Sequence, residues 1–448
     1  MRQGARVRRV GAGILGVAAL AAVLAGGLVP EAGAAPKPKA GKLDQKFGQG
    51  GRAIQDFSRR EDGAEALAIQ ADGKIVVAGT AQSRASATQQ LRDFALLRCD
   101  SRGRLDPGFG ARGRAVLDFD GYDDSLSAVE LVSGGKILAA GTSVGPDAQQ
   151  VLRHRFALAR FTPSGALDSE FGSGGRVTAD LTPGDDEIYA LAVLPDGSIL
   201  AAGQGRAGAS DDFALAKFTP DGQLDPEFGD GGRVLTDFSD GSASSDEARA
   251  VIALPGGRIL VAGTAHNDFA LARYEADGSL DPSFGDGGRV VTDLRGGADR
   301  AYGMALQADG MIVVAGSALN GKQGLDLALA RYSAEGVPDA TFGDGGTVVG
   351  HAGGDEAARA IAVQADGRLV VAGSALPRRT VDTLLARYHP DGTLDATFGK
   401  QGVSVLRFSK NSHDYATAVR LQGDGKIVFA GATRGKTPDF LVGRVLAK

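Results

Sequence analysis

Seven acidic residues recur at one place in a repeating pattern: Asp62, Asp124, Asp186, Asp246, Asp299, Glu356 and Asp414. Each stands ten residues before a tight-turn position. Carboxylates gathered around one axis would favour a hard cation such as Ca²⁺, or raised pKa values, because like charges repel. The same side chains could instead accept backbone N–H bonds in a turn. Tyr122, Tyr189, Tyr302 and Tyr415 lie within a few residues of these acids, and Arg249 and Arg359 take the place of Tyr189 and Tyr302 in their own repeats. Such variation between repeats is what binding residues show; the competing reading is packing between units.

The segment "LDPEFGDGG" (224–232) resembles a phosphate-binding loop, but it has counterparts at 43, 105, 167, 280, 338 and 394. A phosphate loop is needed once. A segment used seven times at steps of 56 to 62 residues is a construction element. Each unit carries four apolar segments, for example "RVTADL" (176–181), "EIYALAVLPDG" (187–197), "SILAAGQ" (198–204) and "DFALAKF" (212–218). Three alternate as half-buried strands do, and "SILAAGQ" is continuously apolar. Asp-Gly pairs such as Asp196-Gly197, or Gly-Gly at Gly134-Gly135 and Gly256-Gly257, mark hairpins between the inner segments. No stretch keeps a long helical period.

The expected fold is all-β: a seven-bladed β-propeller with four antiparallel strands per blade. Small residues near the start of each innermost strand (Ala66, Ala128, Ala190, Ala250, Gly303, Ala360, Ala418) suit blades converging on an axis. The chain begins with an outer-strand segment (51–57) and ends with a third-strand segment (439–445). The N-terminal strand should therefore complete the last blade and close the ring, removing its open edges.

Residues 1–34 read as a signal peptide: four arginines, an apolar run, then "EAGA" with cleavage after Ala34. An uncleaved membrane anchor is the alternative. A short linker (35–42) leads into a single propeller, 43–448. Removing residues 1–34 takes away four arginines and one glutamate, so the formal charge moves from −5 to −8. Bulk charge and the lack of a basic run exclude an electrostatic nucleic-acid binder. Cys99 is the only cysteine, so no internal disulfide is available. It fills a slot held elsewhere by Phe or Tyr and reads as core.

The pattern "LDxxFGxGG…DG(K/R)I(V/L)VAG…DFALARY" resembles the delta-60 repeat, a family of bacterial exported propeller-like proteins, over residues 43–448. The resemblance implies the fold and no reaction or ligand. Arg155 replaces the Asp of "DFALAR", and Val337-Pro338 heads the turn of unit six, so these two blades are expected to be locally irregular. The Asp and Arg of "DFALAR", such as Asp268 and Arg273, read as partners.

Other motif matches fail on context. "GAGILG" (11–16) lies in the signal peptide, and "GQGRAG" (203–208) leads to a strand where a dinucleotide site needs a helix. "GTSVG" (141–145) lacks the strand-to-helix turn of a hydrolase elbow. The five histidines (His154, His266, His351, His389, His413) show no metal-ligand spacing and read as solvated loop residues.

The reading that results is an exported, monomeric, non-catalytic binding or scaffolding propeller. It would be secreted or held in the cell envelope, off the membrane once the signal is removed, with an extracytoplasmic ligand. Recognition is expected at the channel mouth and on the variable loops between second and third strands. The alternative is a metal-assisted lyase or hydrolase at the channel mouth. Carbohydrate recognition is weakened by the absence of tryptophan.

Overall fold

The computed structural model describes residues 40–448, apart from the short segments 58–59, 85–89, 148, 209, 239–244, 321–323, 351–353, 378–379, 409–411 and 436. The expected signal peptide and its cleavage site, residues 35–39 of the linker and His351 lie outside the described residues.

A strand with apolar side chains on both faces needs cover on both sides, and the "ILVAG" segments are of this kind. In the fourth blade Ile259–Ala265 is buried at every position. It sits between the innermost strand, Glu247–Ala253, and the third strand, Asp268–Tyr274; Arg289–Thr292 forms the outer edge. The described residues form seven such four-stranded antiparallel sheets. Each of seven hydrophobic clusters draws on two adjacent blades; Val76 and Leu96 of blade one, for example, share a cluster with Leu126 and Ile137 of blade two.

Closure follows the expected route. Arg52–Gln55 pairs antiparallel with Pro438–Val445, in the register Arg52 to Gly443 through Gln55 to Phe440. Phe440 and Val442 of blade seven share a cluster with Ala64 and Val77 of blade one, so the core is continuous around the ring.

The inner hairpins differ in detail from the expectation for Asp-Gly. Only the glycine takes positive φ (81° at Gly73), and the aspartate accepts a bond from the amide two residues on, Lys74 N to Asp72 Oδ1 at 3.0 Å. This is a turn capped by an Asx bond and finished by a left-handed glycine. At Gly256-Gly257 both residues have positive φ, as read.

The "LDxxFG" segment and the arginine ending the third strand turn out to be one device. Arg273 pairs through Nε with Asp281 Oδ2 at 2.7 Å, not with Asp268 as the sequence suggested. Its guanidinium lies 4.7 Å from the centre of the Phe284 ring and also donates to the carbonyl of Ala334 in the next blade. Gly285 N bonds Glu335 O at 2.9 Å across the same junction. A Cβ on Gly336 (φ 82°) would strike Phe284 at 2.9 Å, so glycine lets the turn of one blade lie on the ring of the other. The clasp recurs with Arg98, Arg160, Arg331, Arg387 and Arg444; in blade three Lys217 pairs with Asp225 at 2.9 Å.

The two blades expected to be irregular are regular. Arg155 holds its ladder position opposite Ser143, because a third-strand backbone pairs whatever its side chain. Pro338 bridges Tyr332 as Leu280 bridges Tyr274, and Asp339 still receives Arg331.

Two outcomes follow. Arg273→Met leaves Asp281 buried beside a lost charge and should cost about 3 kcal/mol, whereas Lys217→Arg should add about 1 kcal/mol by supplying a second donor; denaturant titration reads both. Deleting residues 43–57 should lower the melting temperature and drive self-association along the Pro438–Val445 edge, measured by calorimetry and light scattering.

Candidate functional site

Every innermost strand carries one β-bulge at the same place. In blade four the register with the second strand shifts between Ala248 and Ala250, so Arg249 is the extra residue. The cause lies opposite. A Cβ on Gly263 would come within 1.9 Å of the Glu247 carbonyl oxygen, so only glycine lets the bulged strand press this close. The same shift makes Glu65, Ser127, Tyr189, Tyr302, Arg359 and Thr417 the bulged residues of the other blades. All seven line a central cavity of about 770 Å³, together with apolar residues that include Leu67, Val129 and Met304. Glu130 and Arg420 line it as well, 3.7 Å apart.

Within the cavity Arg249 lies 3.7 Å from the centre of the Tyr189 ring and donates through Nε to Glu247 at 3.0 Å. Tyr189 OH donates to Glu187, which also meets His154 Nδ1 at 3.0 Å; this bond raises the His154 pKa. Arg359 is exposed and sits 5.5 Å from the Tyr302 ring and 5.9 Å from Tyr415. Glu65 is exposed toward the cavity, and the protein surrounding it pushes its carboxyl up to about 7 against the pull of Arg359 and Arg249.

Five of the six expected ligand residues, Tyr189, Tyr302, Tyr415, Arg249 and Arg359, therefore come together. Tyr122 does not; it is half-buried in the loop ahead of the second blade, outside the cavity lining. Glu65, Ser127 and Thr417 were missed. The signal that marks them is the glycine inside each second strand, Gly79, Gly141 and Gly431, since a glycine inside a strand often faces a bulge.

The seven acids are not a ring at the channel mouth. All are buried at 2 % exposure or less, and only Asp62 touches the cavity lining. The loop arriving from the previous blade folds over each carboxylate: Phe119 N donates to Asp124 at 2.9 Å, Leu181 N to Asp186 at 2.7 Å and Leu294 N to Asp299 at 2.7 Å. The side chain precedes the bulge and points between blades. Burial pushes Asp124 up to about 7 and Asp186 to about 6.

At four junctions the buried acid has two acidic companions. One lies in the first half of the third strand of the preceding blade and the other follows its outer strand. The groups are Asp93 with Asp118 and Asp124, Asp212 with Asp237 and Asp246, Asp268 with Asp293 and Asp299, and Asp439 with Asp56 and Asp62. In each, oxygens of the three carboxylates lie within 4.8 Å of one another. Cys99 is fully buried, and burial pushes its thiol up to about 12, in keeping with a core residue. Of the described histidines, His154 and His413 lie on strands and are not loop residues.

Six segments, 70–109, 135–171, 194–228, 254–284, 307–342 and 364–398, match the family model described as a domain of unknown function (DUF5122) β-propeller. The chain is a β-propeller repeat protein. No curated protein matches it in sequence. Among solved structures it is similar to a catalytically inactive virginiamycin B lyase from Staphylococcus aureus with quinupristin: 10 % identity, 88 % of this chain and 99 % of that one, TM-score 0.49. The polysaccharide lyase Uly1 gives 10 % identity over 93 % and 94 %, TM-score 0.49. Sqt1 from Chaetomium thermophilum gives 13 % over 85 % and 84 %, TM-score 0.41. Likenesses at this level carry no argument about function.

The pKa directions set a pH dependence. Glu65 and Asp186 hold protons in the folded chain that the unfolded chain has released between about pH 4 and pH 7, so these groups make stability fall as pH rises through that window. The clasp acid Asp281, held down to about 2, acts oppositely and loses its contribution only below about pH 4. Denaturation midpoints at pH 5 and 7.5 should show the fall, and Glu65→Gln should remove part of it.

Proposed function

We propose that this protein is an exported, non-catalytic binding propeller whose recognition site is the bulge-lined cavity, with small carboxylate-bearing anions as its ligand class. The observation that carries the reading is the contrast between framework and lining. The clasps repeat from blade to blade, whereas the bulge positions hold Glu, Ser, Tyr, Arg, Tyr, Arg and Thr. A position under purely structural demand would repeat. Arg359 stands beside two tyrosine rings, and among the described residues no carboxylate pairs with it. Its planar fork suits a carboxylate. Arg249 already covers the face of Tyr189, which favours an anion over a stacked sugar.

Export rests on residues 1–34 and on the delta-60 resemblance. Secreted material should begin at Ala35, as read by intact mass. For binding, citrate and glucuronate should raise the melting temperature while glucose does not, and Arg359→Ala should weaken binding by at least about tenfold in calorimetry. An Arg359-independent response, or none to any anion, would remove the proposal.

A second reading, a lyase or hydrolase at the channel mouth, is favoured by Glu65 alone, a carboxyl near neutrality and electrostatically coupled to Arg359 and Tyr415. Turnover of a carboxylate-bearing substrate that Glu65→Gln abolishes without loss of binding would establish it.

A further inference from the structure

The junction between blades one and two shows what the acidic groups are suited to. Asp93, Asp118 and Asp124 come from three different chain segments, the third strand of blade one, the residue after its outer strand and the start of the next innermost strand, yet their carboxylate oxygens converge within 4.8 Å. Oxygens bound to one Ca²⁺ at 2.3–2.6 Å lie no more than about 5 Å apart, so one ion could touch all three. Asp124 is 1 % exposed, and while its Oδ2 accepts Phe119 N, its Oδ1 has no hydrogen-bond partner. A buried carboxylate oxygen without a donor is costly unless something positive meets it. The charges acting most on Asp124 are Asp118, Asp93 and Asp120, all acidic. The arrangement recurs between blades four and five, where Asp299 is fully buried and its Oδ1 also has no hydrogen-bond partner.

The junction between blades six and seven completes the argument. Arg407 stands there in the place of Asp118 and binds Asp382, the counterpart of Asp93, through Nε at 3.0 Å and Nη2 at 2.9 Å. Where one acid of the group is missing, the chain supplies a cation of its own. The oxygen-only donor set, the spread of the three carboxylates and their anchoring on separate chain segments suit a large hard ion better than Mg²⁺, which demands near-octahedral geometry.

We infer that two acidic groups, Asp93 with Asp118 and Asp124 and Asp268 with Asp293 and Asp299, are Ca²⁺ sites, each tying the third and outer strands of one blade to the innermost strand of the next. They are separate from anion binding in the cavity and differ from a single ring of seven acids.

Full-length mature protein, stripped with chelator and re-equilibrated with Ca²⁺, should retain about two ions per chain by elemental analysis. Its melting temperature should rise by about 3 °C or more. Asp118→Asn and Asp293→Asn should each remove one ion while keeping the amide bonds from Gly121 and Gly296, since Asn still accepts. Should either variant fold poorly, the wild-type ion count still decides. No retained Ca²⁺, a count unchanged in both variants, or equal stabilisation by Mg²⁺ at matched ionic strength would overturn the inference.

Discussion

The ring depends on the clasp at each blade junction, in which an arginine, at six of the seven, joins an aspartate, a phenylalanine ring and a carbonyl of the next blade, and Lys217 joins Asp225 and the Phe228 ring at the seventh. A four-stranded blade built on a strand such as Ile259–Ala265 cannot bury both faces alone. Its stability comes from its neighbours, so the angle between blades must be set at every junction. Arg273 does this with one planar group, fixed in its own blade by Asp281 and directed at Ala334 in the next. Arg444 acts likewise between the last blade and the first: it pairs with Asp44 from the N-terminal segment and donates to Ser101 O. The segment that supplies the missing outer strand thus also carries the last clasp, and closure becomes part of the same repeated interaction.

A scaffold held at its junctions leaves the inner strands free to vary. The bulge opposite the second-strand glycine inserts one residue per blade into the cavity without disturbing the ladder on either side, so Glu65 and Arg359 can occupy equivalent places. The same lining also holds apolar residues such as Leu67 and Val129. The electrostatics of that layer come from opposed charges close to tyrosine rings, a setting in which a carboxyl and a guanidinium perturb each other strongly.

The other face of each junction works by different physics. There the loop between blades is drawn over a buried carboxylate, as Phe119 and Leu294 are over Asp124 and Asp299. Hydrogen bonds to one oxygen fix the loop, and the environment of the second oxygen distinguishes the junctions. At Asp186 it is met by the Thr182 hydroxyl, and at Asp414 by Thr433; at Asp124 it faces other acids.

The repeat, the strand periodicity and the phase of the chain were enough to establish the blades, their number and the closing strand, because these depend on local pattern and on one count. The sequence also carried the lining positions of Tyr189, Arg249, Tyr302 and Arg359, since variation at one repeat position is visible without coordinates. It did not show which way the acids point. Asp124 and Ser127 share one strand, but Ser127 is the bulged residue and lines the cavity, whereas Asp124, ahead of the bulge, is buried at the junction. Partnership was equally hidden: Arg273 and Asp268 share a strand, but Arg273 meets Asp281 and Asp268 meets Asp293 and Asp299. Both outcomes were decided by the packing of adjacent blades, because opposite ends of a strand face different neighbours, and only the closed ring determines which neighbours those are.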